Sequence, residues 1–77
     1  MKVELSELRD VLVTTFSSSQ VPDDISELKM NDIDEWDSLG NFNLLLAVES
    51  FYGVRFDMEA MASIKSVPDL LAHLRRV

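Results

Sequence analysis

Residues 37–53 read DSLGNFNLLLAVESFYG and predict a helix that begins at Asp37 or Ser38 and ends at Tyr52. The oxygen-bearing side chains at its start can accept hydrogen bonds from the free N–H groups of the first turn. Gly53 is expected to end the helix. At 100° per residue, one side of this helix collects a set of residues that is typical of a core face. These residues are Leu44, Leu45, Val48, Phe51 and Tyr52.

The opposite side of this predicted helix mixes polar residues with three large apolar ones. The polar residues are Ser38, Asn43, Glu49 and Ser50, and the apolar residues are Leu39, Phe42 and Leu46. Apolar stripes are usually buried, so the neighbouring loop at 30–36 could cover these three side chains. An apolar patch with a polar rim can instead mark an interaction site. The sequence leaves both interpretations open.

A first helix is predicted over residues 2–16, because apolar residues recur there every three or four positions. They are Leu5, Leu8, Leu12 and Phe16. The serines at 17–19 and Pro22 should end this helix. A long loop then runs to about Trp36, with Asp23 or Asp24 able to cap a short turn within it. Four apolar residues could fix this loop to the core, namely Ile25, Leu28, Met30 and Ile33.

Two more helices are predicted near the end of the chain. Asp57 is typical of an N-cap and should begin a short helix that continues to about Ala62. Ser66 opens the last helix, where Asp69 follows three residues later, as in a capping box. Pro68 suits the first turn, because its missing N–H is no loss there.

The composition is that of one small acidic domain. The chain has 77 residues, of which 14 are acidic and 7 are Lys or Arg, so its formal net charge is −7. It contains no cysteine, which excludes a disulfide framework, and no Cys/His cluster for zinc. No apolar run approaches the roughly 20 residues of a membrane span, and the N-terminus lacks signal-peptide features. We expect a cytoplasmic protein with basic partners and no affinity for nucleic acid.

An apolar helix in this small acidic helical domain is opened by Asp37, Ser38 and Leu39, with Trp36 before them. This segment resembles the Asp-Ser-Leu site of acyl carrier proteins. The resemblance continues through Leu44, Ala47, Val48, Glu49 and Tyr52, and then through Ile64, Lys65, Ser66 and Val67. It implies a single all-α domain over residues 1–77. The implied fold is a four-helix bundle with a long loop between helices 1 and 2 and a short third helix.

The same resemblance implies a carrier rather than an enzyme. A phosphopantetheinyl transferase would attach 4′-phosphopantetheine from coenzyme A to Ser38, and the thiol of that arm would carry an acyl or aminoacyl group as a thioester. The implied partners are this transferase, a loading enzyme and a downstream synthase or acyltransferase, and we expect the carrier to be a monomer. The implied docking residues are Asp37, Leu39, Phe42, Leu46 and Glu49, with Asp37 as the favoured recognition acid.

The sequence departs from the family at exposed positions of the second helix. Asn43 and Ser50 stand where the family commonly has carboxylates. This indicates a specialised carrier for a polyketide, peptide, lipid or surface-polysaccharide pathway rather than the general carrier of fatty acid synthesis. Gly40 lowers helix propensity by roughly 1 kcal/mol relative to alanine and could allow a partner or the arm to approach closely.

Other functions remain open from the residues alone. The chain could be an aminoacyl or peptidyl carrier, or an unmodified helical adaptor in which Ser38 is only a cap. A serine hydrolase is disfavoured, because the single histidine, His73, falls in the predicted last helix near Arg75 and Arg76 and there is no Gly-x-Ser-x-Gly turn. We interpret His73 as a surface residue near a helix C-terminus.

Three other features have a structural and a functional interpretation. The acidic residues Asp32, Asp34, Glu35 and Asp37 do not have the spacing of a calcium loop, so they form either a solvated loop or part of a recognition surface. Trp36 is expected to have a structural role, with contact to the arm as the alternative. Met58 and Met61 are expected to fill gaps in the core, although flexible side chains could also yield to an acyl chain.

Overall fold

The computed structural model describes residues 2–17 and 19–76, so Met1, Ser18 and Val77 lie outside the described residues. The described part is helical and contains no strand, which confirms the all-α class. Its helices are α1 (Leu5–Thr15), α2 (Ser38–Tyr52), α3 (Met58–Ser63) and α4 (Val67–Leu74). They form a body of 29 × 23 × 20 Å. The order of the helices, the long first loop and the short third helix agree with the prediction.

Helix α1 is shorter than predicted, because residues 2–4 are not helical and Glu4 is the N-cap without a capping hydrogen bond from its side chain. Leu8, Leu12 and Phe16 are buried as predicted. The prediction that Leu5 belongs to the buried face is wrong, since this first residue of α1 is 39% exposed. Val11 is buried on the same face instead.

The loop between α1 and α2 is fixed to the core by Ile25 and Ile33, which are buried, with Leu28 and Met30 packed partly against the same cluster. This confirms the predicted anchoring. Asp24 stabilises a turn there, because its Oδ1 accepts from the backbone N–H and the hydroxyl of Ser26. The sequence reading missed Arg9, whose guanidinium donates to the carbonyl oxygens of Val21 and Pro22 at 2.8 Å each.

The same loop is paired with the connection between α3 and α4. Lys29 and Ser66 form an isolated antiparallel bridge. The N–H of Met30 donates to the Lys65 carbonyl at 2.8 Å, and the N–H of Val67 donates to the Leu28 carbonyl at 2.8 Å. Two segments without regular structure thereby satisfy each other's backbone groups.

Helix α2 has the predicted bounds, and its C-cap is Gly53, which adopts φ 67°. Leu44, Leu45 and Val48 are buried in the core as predicted. The prediction for Phe51 is wrong, since its side chain is 54% exposed. The ring packs edge-on against Tyr52 and lines an open groove, because the adjacent turn of α1 presents Asp10 and Thr14, which do not enclose it.

The two short helices begin at the predicted caps. Asp57 Oδ1 accepts from the N–H of Ala60 at 2.7 Å, and Ser66 Oγ accepts from the N–H of Asp69 at 3.1 Å. Pro68 lies in the first turn of α4. Met61 packs partly against the core, but Met58 is 88% exposed, so the gap-filling role predicted for Met58 is wrong. None of the described helices has the length and apolar character needed to cross a membrane.

Candidate functional site

Ser38 is the first residue of α2, and its side chain is exposed. The N-cap is the preceding residue, Asp37, whose backbone is extended at φ −97° and ψ −165°. Asp37 Oδ1 accepts from the N–H of Gly40 at 2.8 Å. Within the described residues, no group donates to or accepts from the Ser38 hydroxyl. The serine is therefore presented at the helix start without serving as its cap.

The first turn of α2 retains two free backbone donors beside this hydroxyl. The N–H of Asn41 donates to the Asp37 carbonyl at 2.8 Å, and the N–H of Gly40 is satisfied by the Asp37 side chain. The N–H groups of Ser38 and Leu39 have no acceptor among residues 2–17 and 19–76. Free N–H groups at a helix N-terminus, together with the helix dipole, favour an anion at this position.

Trp36 is buried immediately before the cap, with 1% of its surface exposed. Its ring stacks on Phe16 with centroids 5.8 Å apart. Its Nε1–H donates to Asn41 Oδ1 at 2.9 Å, while Asn41 Nδ2 donates to the Ile64 carbonyl at 2.8 Å. The structural role predicted for Trp36 is confirmed. The role of Asn41 was missed, because an asparagine in a helix gives no sequence signal of burial.

Gly40 is buried because the loop before α2 passes against its Cα. A Cβ at this position would overlap the carbonyl oxygen of Glu35 and would lie 3.2 Å from Cε1 of Phe16. The sequence predicts that Gly40 allows the approach of a partner or of the arm. The close approach is instead made by the chain's own backbone.

The three apolar residues on the outer side of α2 are exposed. Leu39, Phe42 and Leu46 have exposed fractions of 69%, 49% and 44%, so the loop at 30–36 does not cover them. At 100° per residue they lie within a 60° arc next to Ser38. We refer to these three residues as the outer stripe. This exposure agrees with the interpretation of these residues as an interaction site and not with coverage by the loop.

Glu49 has a structural partner that the sequence did not indicate. Its side chain is half-buried, and Oε2 accepts from the N–H of Phe56 at 2.7 Å. It holds the connection that leads from α2 to α3. One oxygen of the Glu49 carboxylate is therefore engaged within the chain.

The acidic residues before α2 are not gathered into a metal site. Within the described part of the chain, no three His, Asp or Glu side chains are grouped so that they could hold a metal ion. Asp32 accepts from the Lys29 N–H and forms an ion pair with the Lys29 ammonium at 3.0 Å. These hydrogen bonds from Lys29 lower the pKa of Asp32. Asp37 caps α2. Asp34, in the same acidic run, is exposed.

His73 belongs to another part of the surface. Its Nδ1 lies 3.1 Å from the Asp69 carbonyl oxygen in α4. It lines a hollow with Asp57, Glu59 and Arg76, whereas the hollow beside the first turn of α2 is lined by Asp37, Leu39 and other residues that do not include His73. The structure therefore does not bring the single histidine to Ser38.

Comparison of the chain with protein-family models, with curated proteins and with solved structures gave no match.

Proposed function

We propose that this chain is an acyl carrier protein, in which Ser38 is the attachment point of 4′-phosphopantetheine. The observation that carries the proposal is an exposed serine at the start of α2, next to an exposed apolar stripe and released from capping by Asp37. This arrangement supports a hydroxyl that a second protein can reach. The arm's thiol would hold an acyl or aminoacyl group as a thioester.

The loading reaction is a transfer from coenzyme A. Ser38 Oγ attacks the phosphorus that bears the pantetheine, the bond from this phosphorus to the bridging pyrophosphate oxygen breaks, and adenosine 3′,5′-bisphosphate leaves. A base must take the hydroxyl proton, and a nucleophilic serine without an adjacent base is weak. Because His73 is not at this site, the proposal assigns the base to the transferase.

The first turn of α2 suits the product of this transfer. The phosphodiester on Ser38 carries one negative charge next to the free N–H groups of Ser38 and Leu39. Such an anion is stabilised at a helix N-terminus by these donors and by the dipole. The arm is then anchored by its phosphate while the thiol extends away from the chain.

The outer stripe and the acidic charge support docking of a partner. Apolar side chains at the centre of an interface supply contact, and complementary charges accelerate and orient association. The chain's net charge of −7 favours an enzyme with a basic docking face. Asp37 Oδ2 and Glu49 Oε1 each have no partner among the described residues, and Asp37 is the more exposed of these two residues.

The proposed partners are a phosphopantetheinyl transferase, a loading enzyme and a downstream synthase or acyltransferase in the cytoplasm. The lack of carboxylates at Asn43 and Ser50 favours a dedicated pathway over general fatty acid synthesis. An aminoacyl cargo is the alternative within the same chemistry.

The test is intact mass after incubation with coenzyme A, magnesium and a broad-specificity phosphopantetheinyl transferase. We expect the wild type to gain one phosphopantetheine and Ser38→Ala to gain none. Helical content should remain nearly unchanged in the variant, because the cap is Asp37 and alanine is a good helix former. If several transferases add nothing to the folded wild type, the chain is an unmodified helical adaptor.

A further inference from the structure

Asn41 is the buried polar residue of the described core, with 7% of its surface exposed. It lies one turn after Ser38 in α2. Its amide oxygen accepts from Trp36 and its amide nitrogen donates to the Ile64 carbonyl. One side chain thereby joins α2, the loop before it and the connection between α3 and α4.

Neither partner of Asn41 has access to water. Trp36 and Ile64 are each 1% exposed, so the indole N–H and the carbonyl would be left without a partner if Asn41 were apolar. A buried polar group without a hydrogen bond is costly, which makes the arrangement of the three segments specific. The bridge therefore favours the relative position of these segments in which both hydrogen bonds are formed.

The hydrogen bond between Trp36 and Asn41 spans the segment that contains Ser38. Trp36 lies two residues before Ser38 and Asn41 three residues after it, so their hydrogen bond ties the two ends of the segment that contains the serine. The contact of Gly40 with the Glu35 backbone joins the same two segments a second time. The first turn of a helix otherwise tends to fray.

We infer that Asn41 is a positioning residue for the loading of Ser38. By bridging Trp36 and Ile64 it holds the first turn of α2 in one place, so that Ser38 Oγ reaches the phosphorus of coenzyme A in line. The inference rests on the proposed carrier function. Misplacement of a reacting atom by about 1 Å can reduce the rate about a hundredfold.

The experiment compares loading kinetics of the wild type, Asn41→Leu and Trp36→Phe with those of Val48→Ala. Asn41→Leu removes both hydrogen bonds. Trp36→Phe removes the indole N–H together with one ring of the buried side chain, while retaining an aromatic ring against Phe16. Val48 is fully buried in the same helix but outside the bridge, so Val48→Ala is a control for general loss of stability. All variants are measured at a temperature where circular dichroism shows them to be folded.

We expect kcat of the transferase to fall about tenfold to a hundredfold for Asn41→Leu and by a smaller factor for Trp36→Phe. KM should change little, because the outer stripe is intact. Val48→Ala should load at the wild-type rate. Trp36 is the chain's single tryptophan. Exchange of its indole proton with solvent should be fast in Asn41→Leu and slow in Val48→Ala.

The inference is overturned if both bridge variants load at the wild-type rate, or if Val48→Ala loses as much as they do. Should Asn41→Leu fail to fold, Trp36→Phe decides the result in the same way. If the wild type itself accepts no phosphopantetheine, the carrier proposal fails and the inference fails with it. If the wild type is loaded and both bridge variants load at the same rate, the inference about Asn41 is refuted while the carrier proposal stands.

Discussion

Asp37 and Ser38 are adjacent residues with separate roles. Aspartate and serine are both strongly preferred at an N-cap, so their order in the sequence does not reveal which of them caps α2. The extended backbone of Asp37 and its hydrogen bond to the N–H of Gly40 identify Asp37 as the cap. A group attached to the Ser38 hydroxyl, as we propose, would leave this cap in place.

Gly40 provides a prediction at the scale of one residue. Glycine to alanine in a helix interior normally gains about 1 kcal/mol. Here the added Cβ would overlap the Glu35 carbonyl oxygen, and relieving such overpacking costs about 1–3 kcal/mol. We expect the clash to outweigh the gain, so that Gly40→Ala lowers the free energy of unfolding measured by urea denaturation.

Asn43→Ala is the matched control, because Asn43 is exposed in the same helix. The free energy of unfolding of Asn43→Ala should differ from that of the wild type by no more than about 0.5 kcal/mol. A higher free energy of unfolding for Gly40→Ala than for the wild type would contradict the close approach of the loop to α2.

At the scale of the element, α2 is apolar on both sides. Its inner side packs Leu44, Leu45 and Val48 into the core, while the outer stripe remains in contact with solvent. A helix that is apolar on both sides is usually buried all round. In this chain the second apolar side has no cover from the described residues, which is why we assign it to a partner.

Truncation of the outer stripe separates docking from stability. We expect Phe42→Ala to raise the KM of the transferase several-fold while leaving kcat nearly unchanged, the reverse of the effect expected at Asn41. The free energy of unfolding should fall by about 1 kcal/mol or less, because about half of the Phe42 side chain is already exposed. Loading kinetics and urea denaturation provide the two measurements.

Leu45→Ala is the control from the buried side of the same helix. Leu45 is fully buried, and its truncation should cost about 2–5 kcal/mol. A loss of about 3 kcal/mol or more for Phe42→Ala would instead show that Phe42 belongs to the core.

At the scale of the whole molecule, the net charge of −7 is confined to a body of 29 × 23 × 20 Å. The screening length is about 30 Å at 0.01 M salt and about 8 Å at 0.15 M salt. At low salt each carboxylate is therefore repelled by all the others, and at moderate salt only by its neighbours. Two ion pairs, Arg9 with Asp23 and Lys29 with Asp32, offset this repulsion within the described residues.

We expect the free energy of unfolding to rise as sodium chloride increases from about 0.01 M to about 0.15 M, because screening weakens the repulsion of the native state. Exposed ion pairs contribute about 0–1 kcal/mol each, so their screening should not reverse the trend. Urea denaturation at both concentrations measures the effect. Asp10→Lys, which reduces the net charge of −7 by two units, should show a smaller rise. Lower stability at higher salt would contradict the prediction.

The helices and their caps could be predicted from local sequence. Asp57, Ser66 and Gly53 act within one turn of their own helices, so neighbouring residues are sufficient to identify them. Phe51 could not be assigned in this way, because its helical angle does not reveal which side chains of α1 face it. Met58 was misplaced for the same reason, since burial in a short helix depends on what lies opposite.

Some features of the candidate site could likewise be predicted from local sequence, and others depend on tertiary packing. The sequence by itself determined the all-α class and the start of α2 at Asp37 and Ser38, because helix periodicity and capping are interactions between near neighbours. It made Ser38 the candidate residue only through the resemblance of this segment to the Asp-Ser-Leu site of acyl carrier proteins. Only the tertiary structure decided that Asn41 bridges Trp36 and Ile64, that Gly40 accommodates the Glu35 backbone and that the outer stripe is uncovered. These are contacts, or the lack of them, between segments that become neighbours only when the chain is packed.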